Sequence, residues 1–202
     1  MLVIFCWIPL LISSSGFLIN KLFMLNLIIK KIVISQMTEK IAIRLAKSSD
    51  IPDLVRLRRL MFRWMGFTDE ESLDKNDLAN EQYFIKNIPN GGFIGWLAQI
   101  DKEKTVGCGG LVIDQHPPGP SNLSGKIGYI MNISVDPEFR HQGVAKEILK
   151  TILLYLKINN ITVSTLHASE MGKSLYEKTG YKPTNEMRLQ LADLNKSYLD
   201  IN

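Results

Sequence analysis

Two hundred and two residues, 46% of them hydrophobic, are enough for one ordinary buried domain plus an extension. The net charge of +4 is unevenly spread: residues 1–36 hold three lysines and no acid, leaving 21 basic against 20 acidic groups, or +1, over 37–202. That balance excludes a clustered basic footprint for nucleic acid. Two cysteines exclude a disulfide framework, and three histidines at no ligand spacing point to no metal site and to a reducing compartment.

Residues 1–19 carry no charge, and Leu, Ile, Phe and Val dominate as far as 34. An uncharged run of this kind is long enough for a bilayer, which needs ~20 apolar residues, but it lacks the basic start of a secretory signal. Two readings of 1–36 stand side by side. In one it is a membrane anchor, with Lys21, Lys30 and Lys31 holding the rest on the cytoplasmic side. In the other, translation starts at Met37, where a polar Thr-Glu-Lys comes at once. Both leave the working part in the cytoplasm. The remaining chain reads as one domain over 37–192 and a polar tail at 193–202.

Ile41 to Leu45 alternates like a strand. Ser48-Ser49-Asp50 supplies caps for a helix starting at Ile51-Pro52 and ending at Gly66. Leu54, Val55, Leu57, Leu60, Met61 and Trp64 are its expected core face, and Arg56, Arg58, Arg59 and Arg63 its solvated face. Asp69, Glu70, Glu71, Asp74 and Asp77 open a second helix reaching about Asn87. Acids suit its positive end, and could also attract a cationic substrate. After a turn at Pro89 to Gly92, Phe93–Ile100 and Lys104–Asp114 read as a hairpin. The loop from Gln115 to Lys126 contains Gly119 and Gly125-Lys126. It fails as a phosphate-binding P-loop, since five residues separate the glycines, Ile127 succeeds the lysine, and a strand comes next.

Ile127 to Val135 reads as a strand that Asp136-Pro137 stops, because proline cannot donate to a ladder. Past Gly143, apolar residues at 144, 148, 152 and 156 and at 145, 149 and 153 mark a buried helix face. Between the two lies Arg140-His141-Gln142-Gly143-Val144-Ala145. Glycine lets the backbone approach a ligand there, and free amides at the helix start suit a phosphate. A strand over Ile161–Leu166, a helix over Glu170–Thr179 capped by Gly180, and an alternating strand over Asn185–Leu191 complete the chain.

The strand, the Asp136-Pro137-Glu138-Phe139-Arg140 link and Arg140-x-x-Gly143-x-Ala145 resemble the acetyl-CoA-binding motif of the GNAT acetyltransferase superfamily. Leu175-Tyr176-Glu177-Lys178-Thr179-Gly180-Tyr181 is similar to that family's Leu-Tyr-x-x-x-Gly-Phe segment. The resemblance covers about residues 39–191. It implies an α/β (α+β) fold, a mixed and mainly antiparallel sheet, splayed near its centre and flanked by helices. It further implies acetyl-CoA as co-substrate, with Ile133, Ser134 and Val135 pairing with the pantetheine arm and Arg140, His141, Gln142, Gly143, Val144 and Ala145 holding the pyrophosphate. Ser169 stands where relatives often have a cofactor-binding asparagine. Tyr176 takes the place of the catalytic phenol that protonates the leaving thiolate.

The base is not legible. Tyr129 and Ser164 occupy the strand positions where some relatives carry glutamate, and Asn132, His167, Glu170 and Glu186 are the other candidates. The expected activity is direct N-acetyl transfer to a primary amine, small-molecule or peptide, in a ternary complex. Cys108 lies in a strand with no histidine near it in sequence, so no acyl-enzyme is expected. The competing reading is an acyl-CoA-binding sensor without turnover, supported by the missing strand carboxylate. A homodimer is compatible with either.

Overall fold

The computed structural model describes residues 41–101 and 104–191. They fall into two compact units, one running to His167 and the other from Ala168. The first carries strands β1 (Ile41–Leu45), β2 (Ile94–Ile100), β3 (Lys104–Gln115), β4 (Lys126–Val135) and β5 (Val163–Leu166). Its helices are α1 (Ile51–Trp64), α2 (Glu70–Asn87) and α3 (Val144–Ile158). The second unit carries α4 (Glu170–Thr179).

The sheet runs in sequence order, β1-β2-β3-β4-β5. The first three pairings are antiparallel, and β4–β5 is parallel across the α3 crossover. This is the mixed, mainly antiparallel sheet that the resemblance implies. Helices cover both faces. Ile51, Leu54 and Leu57 of α1 pack with Phe84 of α2 and with Phe93, Leu97 and Cys108 in one core cluster. Leu57 is wholly buried, and burying such a side chain stabilises by ~1.5–3 kcal/mol.

The other face takes α3, whose Val144, Ile148, Leu149, Ile152 and Leu156 are buried at the expected spacing. The sheet meets them with glycine. A Cβ on Gly109 would lie 2.4 Å from Ile148 Cγ2, and one on Gly128 would lie 2.6 Å from Leu156 Cδ2. The missing side chains let α3 sit against the strand backbones.

Arg44 fastens the first strand to the turn before α1 and to β2. It donates two hydrogen bonds to Asp50, at 2.7 and 2.8 Å, and one of 2.8 Å to Gln99 Oε1. Asp50 also accepts the Lys47 amide at 2.7 Å, so one carboxylate closes that turn.

Three expectations are corrected. Trp64 is 51% exposed and does not face the core, because the cluster draws on positions 51, 54 and 57 and the last turn of α1 projects past it. The α1 arginines are not a simple solvated face, since each has a partner. Arg59 reaches Asp77, Glu70 and Asp74, Arg63 reaches Glu70, Arg56 reaches Asp136, and Arg58 turns inward to Asn132. Finally, Asn185–Leu191 forms no strand, and Met187 and Leu191 are 95% and 79% exposed. Alternation suits a strand, but without a ladder partner for its N–H and C=O groups it makes none.

Among the described residues no helix is long and apolar enough to cross a membrane. The anchor reading of 1–36 and the polar tail at 193–202 lie outside the described residues.

Candidate active site

Strand β4 has two edges with different fates. Toward β3 it is paired from Lys126 to Val135. Toward β5 the pairing stops at Ile130, opposite Leu166, so residues 131–135 have no β5 partner on that edge. The strand therefore runs on past the end of β5 where it carries Ile133, Ser134 and Val135. Main-chain donors and acceptors left this way can pair with an extended ligand as an added strand would.

A β-bulge sets the direction of this open stretch. Cys108 pairs with Ser134 and Gly110 with Met131, so Asn132 and Ile133 together oppose Gly109. Asn132 takes a left-handed conformation, φ 57°, which asparagine tolerates better than most residues. Its oxygens are engaged: Arg58 Nη1 donates to the side-chain one, and the Cys108 thiol donates to the carbonyl at 3.2 Å. Asn132 thus serves the bulge, and an amide oxygen already bonded to a guanidinium is a poor base.

The end of β4 is clamped by the same helix. Arg56 donates to Asp136 Oδ1 at 2.9 Å and to the Thr105 carbonyl at 2.9 Å. Past it, Pro137–Phe139 makes one turn of 3₁₀ helix. Arg140 then folds back: its Nε donates to the Val135 carbonyl at 3.1 Å, and its guanidinium stacks 4.0 Å from the Trp64 ring centre. Stacking on the indole fixes that charge at the mouth of the loop, and gives the exposed Trp64 a role that the helical pattern does not suggest.

The loop itself takes two left-handed residues, His141 at φ 59° and Gly143 at φ 86°. Gly143 is the N-cap of α3, and the first helical bond runs from Glu147 N to Gly143 O at 3.0 Å. Among the described residues no backbone acceptor takes the amides of 141–146. They stand at the positive end of a 15-residue helix, the usual seat of an anion. Gln142 holds the loop from inside, donating to the Glu138 carbonyl at 2.8 Å while its buried Oε1 has no partner among the described residues. Val144 is buried and anchors the helix start.

The acids at 69–77 are spoken for. Asp69 caps α2 by accepting the Ser72 amide at 2.9 Å, Glu71 pairs with Lys75, and Glu70, Asp74 and Asp77 surround Arg59. Their hydrogen bonds, that of Asp77 first, raise the Arg59 pKa above its ordinary value. Each of these acids thus already has a partner, while Glu71 and Asp74 stay 77% and 70% exposed. Cys108 is fully buried, which pushes its thiol up to about 12.

In the second unit, Ser169 caps α4, its Oγ accepting the Gly172 amide at 3.3 Å. Gly180 closes the helix at φ 102°, with Gly180 N bonded to Glu177 O and Tyr181 N to Tyr176 O. That double bond is a Schellman ending. Tyr176 meets Tyr181 edge to face at 6.0 Å. Burial, with a smaller contribution from Tyr181, raises the Tyr176 phenol above its ordinary pKa and keeps it protonated near neutrality.

Arg56, Arg58, Trp64 and the bulge at Asn132 are the features that sequence reading misses. The partners of Arg56 and Arg58 lie 80 and 74 residues away. The one local signal is Asn132 itself, an asparagine in a β-branched strand.

Comparison with known proteins agrees with this geometry. Residues 91–183 match the family described as the acetyltransferase (GNAT) domain. Human N-acetyltransferase 8B is 31% identical over 96 residues, 45% of this chain and 39% of that protein, so the chain spans about two fifths of the relative's length. A GCN5-related N-acetyltransferase from Ralstonia eutropha JMP134 superposes with a TM-score of 0.70 at 29% identity, over 75% of this chain and 99% of that one. A predicted acetyltransferase with acetyl-CoA from Clostridium acetobutylicum gives the same TM-score at 26% identity, over 76% and 98%.

Proposed function

Because this chain belongs to the GNAT acetyltransferase superfamily, we propose that it moves the acetyl group of acetyl-CoA to a primary amine by direct transfer in a ternary complex. The observation that carries this reading is a succession of two features along one stretch of chain. It runs along the open β4 edge at 131–135 and ends at the unpaired amides of 141–146, before the start of α3. A CoA thioester has the matching parts in the matching order: an amide-bearing arm for a strand edge and a pyrophosphate for a helix N-terminus.

Ile133, Ser134 and Val135 hold the arm by main-chain bonds. His141 to Ala145 hold the pyrophosphate through amides, and Arg140, pinned on Trp64, adds positive charge. Ser169 offers a hydroxyl to the cofactor beyond its cap bond. The amine attacks the thioester carbonyl, the tetrahedral adduct collapses, and the carbon–sulfur bond breaks. Tyr176 gives its phenolic proton to the leaving thiolate, and the amine loses one proton to solvent or to a base. A phenol held protonated by burial suits that donor role. A buried thiol with a pKa of about 12 is a poor nucleophile, which supports direct transfer over an acyl-enzyme. The domain spans 37–192, works in the cytoplasm, and takes a small-molecule or peptide amine.

A sensor that binds acyl-CoA without turnover has one observation in its favour: neither β4 nor β5 carries a carboxylate to serve as base. Thiol release from acetyl-CoA with a panel of amines decides. We expect release with some amines and a roughly hundredfold fall in Tyr176→Phe with cofactor affinity kept. Calorimetric binding of acetyl-CoA with no release on any amine establishes the sensor instead.

A further inference from the structure

Arg58 differs from the other arginines of α1. Arg56, Arg59 and Arg63 each pair with a carboxylate, while Arg58 has none among the described residues. Its guanidinium lies half-buried, 4.8 Å from the Phe62 ring centre, with Nη1 on the Asn132 amide oxygen. Its Nε is sheltered from solvent and has no acceptor among those residues. Burial is the largest influence on it and lowers its pKa, opposed only by weaker effects from Cys108 and Tyr83, neither of which is a carboxylic acid.

A cation withdrawn from water without a counter-ion is costly to keep. The chain supplies three acids to Arg59 and none of the described ones to Arg58. Bracing the bulge does not call for a charge, since any neutral donor would satisfy the Asn132 oxygen. With Nη1 on the Asn132 amide oxygen and Nε sheltered from solvent, Nη2 remains to give an incoming carboxylate a charge-assisted hydrogen bond. The place also fits. Asn132 immediately precedes Ile133 on the open β4 edge, so an anion on Arg58 would lie beside the strand read as the cofactor's.

We propose that Arg58 receives a carboxylate carried by the acceptor, making the substrates amines with a free carboxylate: amino acids or conjugates that retain the amino-acid end. This rests on the acetyl-transfer reading above, and deepens it by naming the acceptor class.

The test uses matched pairs, an amino acid against its decarboxylated amine, such as phenylalanine against phenethylamine and lysine against cadaverine. Rates of thiol release and calorimetric binding to the CoA-saturated protein are both read. The carboxylate-bearing member should be favoured by roughly tenfold or more in at least one pair. Arg58→Gln should bring that pair near parity with acetyl-CoA affinity kept, and Arg58→Lys should restore part of the preference. Parity within every pair of the unaltered protein overturns the inference. So does an equal loss for both members in Arg58→Gln together with weakened acetyl-CoA binding, the result that bracing the Asn132 bulge alone predicts. Should the variants not fold, binding of N-acetylphenylalanine against N-acetylphenethylamine to the unaltered CoA complex makes the same decision. Failure to bind acetyl-CoA overturns the underlying reading and this inference with it. Cofactor binding without carboxylate preference overturns this inference alone.

Discussion

At the β4–α3 junction the groups offered to a ligand are main-chain ones: a strand edge over 131–135 that β5 does not pair, with the Val135 carbonyl already accepting from Arg140, and a run of amides over 141–146. On the α1 face they are side chains, Arg56 and Arg58 reaching across to Asp136 and Asn132. The first region depends on where the backbone goes, and hence on a few residues that steer it, such as Gly143. The second depends on long side chains finding partners far away in sequence. Backbone sites tolerate most substitutions that keep φ and ψ, whereas a side-chain clamp is lost with one residue.

Gly143→Glu tests this contrast most severely. A Cβ there meets no atom within 4 Å, so the damage comes from φ 86° and from a carboxylate placed in an anion site. We expect acetyl-CoA affinity to fall by at least a hundredfold, about 3 kcal/mol by calorimetry. Retained affinity would sink the assignment of the loop. Gly143→Ala separates the two causes, since it keeps only the backbone strain of about 1–2 kcal/mol.

Gly109→Ala comes next, and tests the backbone region from behind. The new methyl would press on Ile148 and Ile152 at 2.4 and 3.0 Å, forcing α3 off the sheet. A stability loss of about 1–3 kcal/mol in denaturant unfolding is expected. An unchanged midpoint would show that the helix does not need that close approach.

On the side-chain region, Arg56→Gln releases the end of β4 from α1. The pair is partly exposed, with Arg56 at 46% and Asp136 at 17%, so the coupling measured by a double-mutant cycle with Asp136→Asn should be at most about 1 kcal/mol. Coupling near zero would reduce the clamp to a surface contact.

The smallest effect concerns Arg44 and Asp50. The Arg44 hydrogen bond, the largest influence, holds the Asp50 carboxyl below the ordinary carboxylate range. A depressed folded-state pKa adds stability above the unfolded value, near ~3.9. That stability is lost as pH falls through the lower folded-state value. Arg44→Met should therefore flatten the acid side of the stability profile by about a few tenths of a kcal/mol. Its destabilising effect should be smaller at pH 3 than at pH 7, and an equal effect at both would remove Asp50 from the acid response.

Legibility divides along the same line. The helix face at 144, 148, 152 and 156 and the caps at Gly66, Gly143 and Gly180 are readable, because periodicity and positive φ are local demands on local residues. The Arg140-to-Ala145 loop is readable for the same reason. Arg58 reads as solvated because a helical wheel shows only which side of a helix a residue is on, and its partner Asn132 lies 74 positions further on. The alternation at Asn185–Leu191 misleads in the opposite sense, since it promises a strand where no ladder forms.

By itself, then, the sequence determined the helices, the β2–β3 hairpin, and the glycine-opened loop before α3. Each of these needs only residues within a turn or two of one another. Tertiary structure alone decided the bulge at Asn132, the open edge beyond it, and the inward turn of Arg58. Those depend on the register between β3 and β4 and on where β5 stops pairing, which are properties of strands meeting and not of any one strand.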